Sequence, residues 1–317
     1  LEQGMNDELL LPPYQNAIVH VEYMDTKRNR SSRLYEQLNR IYTEKYQDVD
    51  LDLILATDNN AFDFLLQYRD ELFEGVPVVF GGVNNFSDES IAGVSGFTGV
   101  AEVISFGETV ESILMHFPDT KEIYVVNDYL KTGQAWRESI LRAQKPYEGK
   151  IRFVHNQNLS IEELQQKIHS MKPGAVVLLG VYFADRTGQY LTYEKFGQFI
   201  SRNSPVPVYC LVRFNLRDNV VGGKVISGYH HGRMMGELGR RVLGGESAGD
   251  IPVVKVGANT FIFNWFGLES FDVPRDALPP DSVVINEPYS FYEEYIALIW
   301  TAAGAILVLC LLVFQLS

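Results

Sequence analysis

Cysteine is almost absent. The 317 residues hold two, Cys210 and Cys310. Cys310 lies in a charge-free run and Cys210 in the apolar stretch VPVYCLV, so there is no disulfide framework, no CxxC and no zinc spacing. Cys210 reads as a small buried apolar residue. Positive charge is scarce too. Lys and Arg number 27 against 40 Asp and Glu, a net charge of −13. Nucleic acid needs clustered cations, so it is excluded as a partner, and the acidic balance reads as a solubilising surface. The motifs of common chemistry are also missing: no GxGxxG, no Walker phosphate loop, no GxSxG and no HExxH. His230, His231 and Glu237 form the one His/carboxylate cluster of note, but adjacent histidines on a glycine-bearing turn point apart, so no metal is expected. Asp58, Asp128 and Asp185 each follow an apolar run without an accompanying base or nucleophile. The chain therefore reads as a non-enzyme without a cofactor.

One absence is itself informative. Residues 295–316, YIALIWTAAGAILVLCLLVFQL, carry no charged side chain. As a helix this run extends roughly 33 Å at about 1.5 Å per residue, enough for a bilayer core of about 30 Å. Tyr289, Phe291, Tyr292, Tyr295 and Trp300 fit an interfacial belt. Ala297, Thr301 and Ala305 recur every four residues, a spacing that packs two helices closely and makes a homodimer the expected assembly.

What precedes this run is globular in composition, with 46% hydrophobic and 21% charged residues in the whole chain. Apolar, β-branched runs recur at 17–23, 51–56, 76–81, 122–127, 151–155, 175–180 and 206–212. Helical stretches separate them at 31–46, 60–72, 107–117, 133–143, 161–171 and 193–202. This alternation predicts an α/β protein with parallel sheets covered on both faces. Count and spacing give two sheets. Glycine-bearing crossovers are expected at 93–100 and 220–232, a helix at 233–243, a strand at 251–256 and a short helix near 263–271.

Ligands of open parallel sheets bind at the carboxyl ends of the strands, and here those ends are polar, small or aromatic. They supply Thr57, Asp58 and Asn59; Gly81, Gly82 and Asn84; Asn127 and Asp128; Tyr182 and Phe183; and Arg213, a candidate partner for a carboxylate. Tyr229, on the second crossover, joins this ligand-binding set. Asp, Asn and Thr after a strand also serve as N-caps of the next helix, and Arg213 equally suits an acid between lobes.

Several segments resemble the ABC-transporter substrate-binding-protein-like family: HVEYMDTKR (20–28), LATDNNAFDFL (55–65), GVPVVFGGVNNF (75–86), GFTGV (96–100), VVND (125–128), ISGYHHG (226–232), LGRRVLGGES (238–247), IPVV (251–254) and LPPDSVVINEPYSFYEEY (278–295). The nearest likeness is to the form used as the extracytoplasmic sensor domain of bacterial histidine kinases and related signalling proteins. The resemblance implies a two-lobed type I periplasmic-binding-protein-like fold with three crossovers. Lobe 1 is expected over 1–101 and 222–250, lobe 2 over 102–221 and 251–286, and a juxtamembrane segment with a transmembrane helix over 287–317. It also implies a small-molecule ligand such as an amino acid or other small organic acid, placement on the extracytoplasmic side of the inner membrane, and an output module beyond the helix. An alternative is the solute receptor of an ABC importer. One departure stands out. The family opens with a strand before its first helix, whereas residues 1–10 here already read as that helix, so the central strand of lobe 1 is expected to be missing.

Overall fold

The computed structural model describes residues 1–26, 31, 33–288 and 291–316. The first lobe opens with α1 (Glu2–Leu9), α2 (Leu34–Tyr46), β1 (Ile54–Thr57), α3 (Asp58–Leu72), β2 (Val78–Asn84) and β3 (Phe97–Glu102). The chain then enters the second lobe through α4 (Phe106–His116), β4 (Glu122–Val126), α5 (Lys131–Ala143), β5 (Arg152–His155), α6 (Ile161–His169), β6 (Ala175–Leu179), α7 (Tyr193–Asn203), β7 (Val208–Cys210) and β8 (Val220–Val225). It returns to the first lobe for α8 (Gly228–Leu243). It crosses once more to β9 (Thr260–Asn264), α9 (Trp265–Ser270) and β10 (Val283–Ile285), and ends in α10 (Phe291–Leu316).

The lobe 1 sheet has the order β1-β2-β3, all parallel. The lobe 2 sheet has seven strands in the order β10-β9-β8-β7-β6-β4-β5. It departs from the all-parallel expectation at one place, since β8 and β9 run antiparallel. Both sheets bury alternate residues on opposite faces, as the period of two requires. In lobe 2, Ile123, Val125, Val176 and Leu178 face one core and Tyr124, Val126, Val177 and Leu179 the other. In lobe 1, Val79 joins Met5, Met235 and Leu238 under α1 and α8. Val78 and Phe80 join the aromatic group Tyr42, Phe62, Phe64 and Phe97 under α2 and α3.

Glycine sets the contact of α1 with α8. A Cβ on Gly4 would lie 2.1 Å from the Tyr229 carbonyl oxygen. One on Gly232 would lie 2.1 Å from the Leu1 carbonyl oxygen, and one on Gly236 2.8 Å from that of Met5. The two backbones therefore touch, and Glu8 completes the joint by accepting from both Arg233 (2.8 Å) and Arg240 (3.2 Å).

Three local expectations change. The 17–23 run is extended but joins no sheet. Ile18 and Tyr23 are 85% and 79% exposed. Its polar side chains hold it in place instead: Glu22 accepts from Lys45 and from the Tyr46 hydroxyl, and Tyr23 donates to Glu2. Among the described residues β1 pairs only with β2, so no strand lies where the run would pair. The 93–100 stretch is not a crossover, because Phe97–Glu102 forms β3; the chain leaves lobe 1 at 103–105. The 251–256 run supplies only a bridge from Val254 to Val100, and β9 occupies residues expected in a loop and short helix.

Residues 295–316 fall in α10, a helix of 26 residues. Among the described residues no helix is long and apolar enough to cross a membrane. Tyr289 and the side chains at 291–294, 297, 308, 310, 311 and 314–316 lie outside the description, and these include the expected contacts of Phe291, Tyr292 and Ala297.

Candidate functional site

The strands of the two lobes end toward a shared cleft, spanned by connections at 103–105, 226–227 and 255–259. A hydrogen-bond chain ties these connections together. The buried His231 ring Nε2 lies 3.0 Å from Asn259 Oδ1, and Asn259 Nδ2 donates to the Val103 carbonyl at 2.6 Å and to Ser105 Oγ at 3.1 Å. Burial lowers the His231 pKa, against the Asn259 hydrogen bond, which favours the charged ring. Beside it, His230 Nδ1 sits 2.9 Å from Ser227 Oγ. Its pKa is lowered by burial and by the nearby Arg213 and Arg233.

On the lobe 1 side, Thr57 precedes α3 in extended backbone without a side-chain capping bond. Asp58 adopts φ 75°, and its Oδ1 accepts the Asn59 N–H at 2.7 Å. Asn59 and Asn84 hold each other: Asn59 Nδ2 donates to the Asn84 carbonyl at 3.2 Å and Oδ1 accepts the Asn84 N–H at 3.1 Å. This pair locks the end of β2 to the start of α3. Gly81 serves packing, since a Cβ there would lie 2.2 Å from Met235 Sδ. Gly82 has φ +66°, a region that favours glycine, and faces Leu1 and the Asp58 N–H. Tyr229 donates to Asp7 at 3.0 Å, on the α1 side of α8.

On the lobe 2 side several candidates are committed to the fold. Asn127 is fully buried, and its Oδ1 accepts the Val181 N–H at 3.1 Å while its own N–H donates to Asn156. Asp128 accepts from the N–H groups of Leu130 (3.0 Å) and Phe183 (2.8 Å), joining the turn before α5 to the loop after β6. Burial raises its pKa, against these hydrogen bonds. Tyr182 stacks flat on Phe196 at 4.1 Å between ring centres and is buried, so its ring belongs to the core. Phe183 turns the other way. Its ring lies 4.3 Å from Tyr193, which in turn stacks with Phe214 at 6.0 Å. Arg213 precedes Phe214; it is exposed and makes no ion pair with any described residue.

The fold thus brings Phe183 and Arg213 into one neighbourhood and adds residues the sequence did not single out: Glu102, Tyr193 and Phe214. Glu102 ends β3 in the cleft. Burial and the like charge of Asp58 push its pKa up to about 7. Across from it on lobe 2, Tyr193 has its pKa raised by burial and by the Glu102 and Asp128 charges. An aromatic wall, a free guanidinium and a partly protonated carboxyl group form a set able to hold a small polar organic molecule. No group of three or more His, Cys, Asp or Glu positioned for a metal occurs among the described residues.

No protein-family model and no curated protein matches the chain. Solved structures do. A substrate-binding protein with adhesive properties from Clostridium difficile, in its ligand-free, open structure, is 16% identical, with a TM-score of 0.62 over 90% of this chain and 94% of that one. An ABC domain from Streptococcus pneumonia in complex with L-Trp is 15% identical, with a TM-score of 0.53 over 89% and 94%. The chain has the two-lobed, periplasmic-binding-like α/β fold, with parallel pairing throughout except at β8 and β9.

Proposed function

We propose that the bilobal part binds a small organic solute, such as an amino acid or other small organic acid, in the interlobe cleft and acts as the sensor domain of a membrane-attached bacterial signalling protein. The observation that carries the binding role is the aromatic row Phe183–Tyr193–Phe214 on lobe 2, next in sequence to the exposed Arg213, with the lobe 1 Glu102 close enough for its charge to act on Tyr193. The likeness to the L-Trp complex supports a ligand of this size and chemistry. A ligand touching both lobes favours the closed arrangement by its differential affinity. The charge-free sequence of 295–316 supports attachment to the inner membrane, with the lobes outside and an output module such as a histidine kinase inside. The small residues Ala297, Thr301 and Ala305 support pairing of two such helices. On this reading the chain itself catalyses nothing.

Delivery of the solute to an ABC importer is the second reading, favoured by the fold shared with the substrate-binding protein from Clostridium difficile. A thermal-shift screen of metabolites tests the binding role common to both. A ligand at a hundred times its dissociation constant adds about 2.7 kcal/mol. Arg213→Ala and Phe214→Ala are expected to remove the shift. A broad library without any shift sinks the proposal. Importer reconstitution separates the readings: solute uptake that depends on this protein rejects the sensor role.

A further inference from the structure

Between the lobes, on the β3 side of the cleft, lies a pocket of about 270 Å³. Lobe 1 lines it with Asn84, Phe86, Glu102 and Lys255, and lobe 2 with Trp136 and Ser139. Its charges are unequally matched. The Lys255 ammonium is held at 2.5 Å by Asp88, over the Phe86 ring. The Glu102 carboxyl group, by contrast, makes no hydrogen bond or ion pair with any described residue. The pocket therefore offers one uncommitted carboxyl group beside aromatic rings and a few hydrogen-bonding side chains. Asp58 adds a second negative charge nearby.

We propose that this pocket is the ammonium subsite of the cleft, selecting ligands with a primary amine on an apolar or aromatic body. The inference rests on the reading of the cleft as a solute site and narrows its chemistry. The volume corresponds to about nine waters at about 30 Å³ each, which suits a group of roughly ten non-hydrogen atoms. A cation entering the pocket gains the opposite charge of Glu102 in a lining that also holds the apolar bodies of Trp136 and Phe86. An anion entering meets Glu102 and Asp58 and finds the local cation already neutralised. A neutral isostere leaves the Glu102 carboxyl group buried without a partner, as it is without ligand. Selection for the amine thus follows from what the lining lacks, a free cation, as much as from what it holds.

Three probes of one shape separate these cases: phenethylamine, 2-phenylethanol and phenylacetate, titrated calorimetrically into the full chain in detergent. Phenethylamine is expected to bind at least tenfold more tightly than either of the others. Glu102→Gln is expected to erase that preference, and Glu102→Asp, which keeps the charge, to retain part of it. Melting of both variants at pH 5, where Glu102 is protonated, checks that they fold. Equal or tighter binding of phenylacetate or 2-phenylethanol overturns the assignment, as does a preference that Glu102→Gln leaves intact. L-tryptophan and L-phenylalanine serve as a separate arm. Binding that Phe214→Ala abolishes but Glu102→Gln does not overturns the subsite and leaves the solute-binding reading standing; absence of binding by every compound overturns both.

Discussion

Replacing Gly232 with alanine tests whether α1 is seated by direct backbone contact. The new Cβ would lie 2.1 Å from the Leu1 carbonyl oxygen, 2.9 Å from the Leu1 carbonyl carbon and 3.0 Å from the Met5 nitrogen. All three are backbone atoms, so no rotamer change relieves the clash. Reaching even 3.0 Å from the oxygen requires a shift of 0.9 Å, from 2.1 Å, of α1 against α8. That shift loosens the packing of Met5 against Met235 and Leu238, members of one buried cluster. Overpacking of this kind costs about 1–3 kcal/mol, and the better helix propensity of alanine returns about 1 kcal/mol at most. Because the clash is backbone against backbone, the cost falls in the upper part of that range and the net expectation is a loss of up to about 2 kcal/mol, read as a lower midpoint in urea unfolding with an unchanged slope. Gly228→Ala is the control on the same helix, because its Cβ meets nothing closer than 3.4 Å. Equal stability of Gly232→Ala and Gly228→Ala would refute the argument and mean that α1 does not rest on α8 as described.

Two further outcomes follow from the site. Glu102 has its pKa raised from 4.5 to about 7, first by burial and then by Asp58. The native state therefore holds this proton more tightly than the unfolded chain, and stability falls as pH rises from about 4.5 through 7, by on the order of 3 kcal/mol. The lowered pKa values of His116, His230 and His231 give the opposite slope, with stability lost as pH falls below 6.5. The difference between wild type and Glu102→Gln isolates the carboxyl group, and unfolding midpoints that track each other from pH 4.5 to 8 would contradict its burial. Tyr182 is assigned to the core, so Tyr182→Ala is expected to cost about 3–5 kcal/mol in denaturant unfolding, while Tyr182→Phe leaves solute affinity unchanged; a tenfold loss of affinity in Tyr182→Phe would return its hydroxyl to the ligand site.

The periodic signals of the sequence carried the architecture well where both faces of a strand are covered. Runs such as 122–127 and 175–180 became β4 and β6 because near-continuous apolar stretches of that length have no other stable place. The 17–23 run has equally good strand chemistry, but a strand needs a neighbour, and that requirement is not local. The 93–100 stretch misled in the other direction, since its glycines read as a link. Gly99 is required by packing, a Cβ there lying 2.2 Å from the Phe80 carbonyl oxygen, and the strand it belongs to delivers Glu102 to the cleft. Among the strand-end residues, side-chain direction decided the outcome. Tyr182 and Phe183 lie in the loop beyond β6, where no strand alternation applies; one stacks in the core and the other joins Tyr193. Adjacent positions in sequence name a strand end, but the path of the loop decides which of the two is buried in the core.

The attachment of α10 gives the proposed signalling route a direction. β10 pairs with β9 at the edge of the lobe 2 sheet. Just beyond β10, Asn286 donates to Asn264 Oδ1 at 3.0 Å, and Asn264 in turn donates to the Asp218 carbonyl at 2.5 Å. Arg275 pairs with Glu287 one residue later. The chain up to Glu287, just ahead of the C-terminal helix, is therefore fixed to lobe 2. If the helix is the anchored part, lobe 1 is the body that moves when a ligand bridges the cleft. The joint it moves on is the set of three connections tied by His231, Asn259 and Val103. In such an arrangement closure does not pull on the helix by its own chain connection.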